Sequence, residues 1–267
     1  MTFRPRVFFF ALCLLPLPSV HGQVPPSASP VHSELIRGAK VFREKNQVWI
    51  NPDSNSGPGS VQVPRFGAFM RAIRWVDEPS DVVLVPEPAH WVVSWKKAPA
   101  TSKTILITFD SEALLPGELK PSVPAGDGSI TLQAFQATTR GEKLRFEPQP
   151  HKNTVGYWTV AGDSATWSFE AAAAGSYSVG LLQGCGEGQG GSQARLEISS
   201  GGQIVEVKDF ETVDTGHFQN FRWIHLGQMA LPGEGTYQLT IRPTKIARGA
   251  LFDVRTIQLV KQARKAN

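Results

Sequence analysis

Three stretches of this chain gather residue types that recognise small polar molecules. Residues 214–223 read DTGHFQNFRW, so His217, Gln219, Asn220 and Arg222 are interleaved with Phe218, Phe221 and Trp223. Imidazole, amide and guanidinium groups make directional hydrogen bonds, and the rings offer flat apolar faces. A pyranose needs both, because its C–H faces stack on rings while its hydroxyls need donors and acceptors. An amphipathic strand with its rings in a core gives the same pattern, so both readings stand for each residue. Residues 151–158, HKNTVGYW, have the same character, with Asp163 just beyond. Tyr157 and Trp158 are adjacent, so in a strand they face opposite ways. One enters the core and the other is free to meet a ligand or a neighbouring module. Trp158 and Asp163 join the candidate ligand set.

The third stretch, residues 181–192, reads LLQGCGEGQGGS, and five of the eight residues from 184 to 191 are glycine. By letter, Gly186 to Gly191 matches a dinucleotide fingerprint. That motif needs a following helix to hold the pyrophosphate. Here residues 192–199 alternate as a strand, which excludes it. The loop is then either a plain turn or one whose missing side chains let backbone approach a ligand. Gln183 and Gln189 are its candidate contacts. Cys185 is the one cysteine beyond residue 22, and a small buried role is expected for it.

A search for catalysis finds no signature. Hydrolysis of a glycoside needs two carboxyl groups facing each other across a cleft. Glu34, Asp110, Asp163, Glu170 and Asp253 fall on separate loops with no visible pairing. No nucleophile elbow marks a Ser-His-Asp arrangement, and the histidines lack metal-ligand spacing. A non-catalytic protein without cofactor is expected, with a glycoside hydrolase of unrecognised site as the alternative.

These stretches must be positioned by strands. Short runs rich in Val, Ile, Thr and Trp recur at 61–63, 69–76, 82–85, 91–95 and 104–109, each bounded by Pro, Asp or Ser. Later, Trp167 and Phe169, then Tyr177, Val179 and Leu181, then Ala194, Leu196 and Ile198 alternate on one face. Gly201-Gly202 signals a hairpin. Four alanines at 171–174 are too few to hold a helix. The fold class is all-β: two β-sandwich domains, the C-terminal one a jelly roll. Pro and Gly crowd residues 116–128, which sets the boundary there. The expected organisation is a signal peptide over 1–22, a linker over 23–32, a small sandwich over 33–120 and the jelly roll over 127–262.

The first 22 residues carry Arg4 and Arg6, then the apolar run 7–17, then a Val-His-Gly end. Export to a secreted or periplasmic location is expected, and the apolar run is too short for a membrane span. The formal charge is +4, of which Arg4 and Arg6 supply two, and no dense basic stripe exists for nucleic acid.

Gly156-Tyr157-Trp158, Asp163, Trp167, Gly175-Ser176-Tyr177, Gly216 to Phe221, Leu231-Pro232-Gly233, Gly235-Thr236-Tyr237 and Phe252-Asp253 run in an order that resembles the galactose-binding-like jelly rolls of carbohydrate-binding module families 6 and 35. HKNTVGYW, LQGCGEGQGGS and DTGHFQNF together resemble a variant found C-terminal in exported bacterial fucosidase-like and sulfatase-like enzymes. RWVDEP and PEPAHW resemble the small β-sandwich that follows the barrel in family 29 α-L-fucosidases. The resemblance implies a glycan partner, fucosylated or sulfated polysaccharide included, with Phe218 where the modules carry a stacking ring. It also leaves a role as an interaction module that docks on a partner glycosidase or sulfatase. The structural calcium of those modules needs an acid where Phe135 stands.

Overall fold

The computed structural model describes residues 23–263 except 55, 56, 79, 80 and 101. The expected signal peptide lies outside the described residues.

The first half forms two antiparallel sheets. Strands β1 (Ser29–Pro30), β2 (Ala39–Glu44), β3 (Gln47–Pro52), β4 (Gly59–Pro64), β5 (Met70–Trp75), β6 (Val82–Pro86), β7 (His90–Trp95) and β8 (Ile105–Phe109) divide as β1-β2-β3-β8-β5 and β4-β7-β6. Their alternation is regular: in β7, Trp91, Val93 and Trp95 point inward while the residues between them do not. Trp75 of one sheet meets Trp95 of the other edge to face at 5.4 Å. Residues 23–32 differ from the linker reading. Ser29-Pro30 pairs with β2, Val31 is buried, and Val24 and Ala28 pack against Trp49, Val76 and Leu106. Apolar side chains among those prolines had surface to cover, so the segment lies on the sandwich.

The second half contains β9 (Ile130–Gln133), β10 (Thr138–Arg140), β11 (Arg145–Glu147), β12 (Thr154–Gly156), β13 (Ser164–Ala171), β14 (Gly175–Cys185), β15 (Gln193–Ser200), β16 (Gln203–Glu211), β17 (His217–Leu231), β18 (Gly235–Lys245) and β19 (Asp253–Lys261). One sheet runs β10-β13-β18-β15-β16 and the other β11-β12-β19-β14-β17, with β9 also on β19. The β15–β16 turn is Gly201-Gly202, both at positive φ, as a tight hairpin requires. The all-β reading holds throughout the described residues, none of whose helices is long and apolar enough to cross a membrane.

No sheet mixes strands of the two halves, yet the apolar interior is continuous across their junction. Arg65 is buried there. Its guanidinium donates to the carbonyls of Phe135 (3.1 Å) and Ala137 (2.7 Å) and lies over the Phe146 ring. Burial lowers its pKa to about 10, which leaves it charged at neutral pH. Trp91 meets Phe146, Arg145 pairs with Glu87 (3.1 Å), and Gln149 donates to Leu84 O (3.1 Å). The 116–128 segment is tied to β13 through Ser122, which exchanges backbone bonds with Ser168 and Glu170.

Candidate functional site

One end of the second sandwich opens into a cleft of about 220 Å³. Glu147, Lys152, Tyr157, Thr159, Phe218, Gln219, Ala250 and Asp253 line it. Register explains the meeting. β12 pairs with β11 on one side and with β19 on the other, which brings Glu147 and Asp253 to the two flanks of Gly156. A Cβ on Gly156 would lie 2.5 Å from Glu147 Oε2 and 2.6 Å from Asp253 Oδ1. Glycine alone leaves room for both carboxyl groups.

Both acids are buried, Glu147 at 2% and Asp253 at 7% exposure. Lys152 Nζ forms an ion pair with Glu147. Desolvation, with repulsion from Glu147, pushes the Asp253 carboxyl up to about 8, and Lys152 opposes that shift. At neutral pH Asp253 therefore offers a carboxylic acid that donates, beside the acceptor oxygens of Glu147.

Tyr157 forms the opposite character. Its backbone sits at φ 61°, a left-handed conformation that costs a non-glycine residue roughly 1–2 kcal/mol. The turn throws its ring outward, 45% exposed, with the Arg145 guanidinium 3.5 Å from its centroid. Trp158, the next residue, is wholly buried against Phe252, and its indole N–H donates to Asp163 O. Of the adjacent pair, Tyr157 is thus the one that meets the cleft, and Trp158 is core.

The glycine loop packs behind Phe218. A Cβ on Gly184 would come 1.9 Å from Phe218 O, and one on Gly186 would come 2.6 Å from the Phe218 ring. These two glycines give Phe218 its space. The loop is pinned to 212–216: Thr215 Oγ1 accepts from Cys185 N (2.8 Å), Asp214 accepts from Gly188 N (2.6 Å), and Gly191 N donates to Thr212 O. Cys185 is buried, and burial, then Asp214 and Asp253, push its thiol up to about 11, far from a reactive thiolate.

Of the nine candidate ligand residues, Phe218 and Gln219 line the cleft. Asp163 is buried instead, and its carboxylate accepts from the backbone N–H of Glu142 (2.7 Å), Lys143 (3.1 Å) and Leu144 (2.9 Å). It closes a turn and has no access to a ligand. Gln183 is likewise buried, donating to Val213 O (2.8 Å). Gln189 accepts from Gly249 N (2.9 Å) and ties two loops together. His217, Asn220 and Arg222 are exposed outside the cleft; His217 Nδ1 accepts from Gln219 N, and Asn220 donates to Thr215 O. None of the three is covered by residues 33–120, so the conspicuous polar stretch does not form the junction between the halves.

Glu147, Lys152, Tyr157, Thr159, Ala250 and Asp253 complete the site beyond the sequence candidates. The one available signal was Tyr157 beside Trp158, two rings that cannot both be core. No group of three or more His, Cys, Asp or Glu among the described residues is arranged to hold a metal ion.

No protein-family model matches the chain, and no curated protein matches it by sequence. Solved structures similar to it include an α-L-fucosidase from Vibrio sp. strain EJY3, at 14% identity over 89% of this chain and 42% of that one, TM-score 0.34. A family 35 carbohydrate-binding module from Clostridium thermocellum matches at 20% identity over 50% of this chain and 98% of the module, TM-score 0.39. The module CBM6cm-2 of Cellvibrio mixtus lichenase 5A, solved with cellotriose, matches at 19% identity over 50% of this chain and 97% of the module, TM-score 0.37. This chain spans less than half the length of the fucosidase. Similarities of this size assign neither a site nor a function, which are argued from the cleft itself.

Proposed function

We propose that the chain is an exported, non-catalytic carbohydrate-binding protein that holds one sugar ring in the cleft between Tyr157, Phe218 and the Glu147–Asp253 wall. The observation that carries this is the convergence of outward aromatic rings and a buried acid–carboxylate pair on one open cleft. The rings take the C–H face of a pyranose. Protonated Asp253 donates to one hydroxyl, while Glu147 and the Gln219 amide serve the neighbouring ones. With Lys152 paired to Glu147 the wall offers no free cation for a sulfate, so neutral sugars, fucose among them, fit better than sulfated ones.

A hydrolytic role is less well supported. Glu147 and Asp253 lie side by side on one wall, flanking the same glycine, and Glu147 is held by Lys152. A glycosidase sets its two carboxyl groups on either side of the scissile bond. The basic-then-apolar start of the chain supports export.

Isothermal titration against panels of neutral, fucosylated and sulfated oligosaccharides tests the reading. Phe218→Ala is expected to weaken binding about tenfold, with no reducing sugar released by the native protein. A folded protein that binds none of the panel overturns it.

A further inference from the structure

Six of the seven tryptophans are buried, and Trp223 is the exception at 53% exposure. It lies on the outer face of the β11-β12-β19-β14-β17 sheet. Its ring rests on the sheet because Gly180 below has no side chain; a Cβ there would stand 3.3 and 3.4 Å from two ring carbons. The rest of the indole faces solvent, as its exposure shows.

The rows paired across the sheet from the ring carry no Asp, Glu, Lys or Arg. Leu182 pairs with Trp223 and with Thr256, and Gly180 pairs with His225 and with Gln258. Gln133 and Thr131 continue the two rows on β9. None of Leu182, Thr256, Gln258, Gln133 and Thr131 is charged. Ser178 and His225 share a hydrogen bond (2.5 Å) beside the ring.

The platform also continues from the cleft. Trp223 and His225 share one face of β17, where the pairing with β14 runs unbroken from Arg222 to His225. Gln219 lines the cleft. Phe221 is the step between, covered by the Arg255 guanidinium at 3.8 Å, which also holds Lys152 O at 2.9 Å. Lys152 lines the cleft, so Arg255 links the cleft to the Phe221 side of β17.

We infer that Trp223 is a second sugar-stacking position, and that the ligand is an oligosaccharide chain running from the cleft along β17. The inference rests on the cleft reading above and extends it from a single ring to an extended chain. A protein surface would need charge or a larger apolar patch to register on, and the rows beside Trp223 offer neither.

The test is titration of the full protein with manno-, gluco-, laminari- and fuco-oligosaccharide series, from disaccharide to hexasaccharide. In the native protein the longer members of the bound series are expected to bind about five- to tenfold tighter than the disaccharide. Trp223→Ala removes that gain and leaves disaccharide affinity unchanged, and its exposure keeps the fold intact. Because Trp223 is the exposed indole, the longer chains alone should shift and brighten tryptophan emission, and the variant should lose that change. Length dependence that survives in Trp223→Ala overturns the second position and leaves the cleft standing. Disaccharide affinity that is unchanged in Phe218→Ala overturns the cleft. If no series binds the native protein, both readings fall. If Trp223→Ala instead abolishes a self-association seen by light scattering, the platform belongs to a second copy of the chain.

Discussion

Asp253 makes the native protein's stability depend on pH in a direction opposite to that of most carboxylates. Its pKa moves from 3.8 to about 8 on folding, chiefly because it is desolvated. Between those values the folded chain keeps the proton and the unfolded chain has released it. Stability then falls as pH rises, by about 1.4 kcal/mol per pH unit. The contribution is complete below about pH 4 and exhausted above about pH 8, so at pH 7 the cost is on the order of 4 kcal/mol. Asp253→Asn keeps the shape and the donor but cannot ionise. It should be more stable than the native protein at pH 7 by up to that amount, or on the order of 10 °C in Tm for a chain of this size. Near pH 4 the two should converge. Urea unfolding followed by tryptophan emission at several pH values measures both slopes. The same variant should bind sugar without the loss of affinity that ionisation brings to the native cleft above about pH 8. Native stability that does not change across this range, with Asp253→Asn no more stable at pH 7, refutes the reasoning.

Three further outcomes are expected. Gly186→Ala sets a Cβ 2.6 Å from the Phe218 ring, so titration should show lost sugar affinity with a stability change of about 1–3 kcal/mol. Arg65→Ala leaves the Phe135 and Ala137 carbonyls without their buried donor; it should cost about 3 kcal/mol or more and speed proteolysis within 116–128. Cys185, buried and with its pKa raised to about 11, should resist thiol reagents in the native protein and react fully in denaturant, as mass spectrometry can score.

The strands were legible because their side chains alternate, and the Gly201-Gly202 hairpin because two adjacent glycines accept positive φ. The cleft was only partly so. Phe218 and Gln219 announced themselves by type, whereas Glu147 and Asp253 meet through the register of three strands that no local pattern encodes. Which of Tyr157 and Trp158 faces outward depends on one left-handed backbone angle at Tyr157, invisible in the letters. Asp163 resembled a ligand contact because a carboxylate that caps three amides and one that meets a sugar read alike in sequence. The glycine loop was conspicuous only in part for its own backbone, with Gly188 and Gly191 at positive φ. Two of its glycines are clearances for a residue on another strand.

The arginine buried at the junction has a mechanical consequence. Arg65 stays charged at neutral pH and grips two carbonyls of the other half while lying on its Phe146 ring. Parting the halves would take that charge from both carbonyls and from the ring, which couples one half to the other. Whatever anchors the first sandwich therefore also sets the heading of the cleft. The protein works as a bracket with a fixed angle, not as a hook on a swivel.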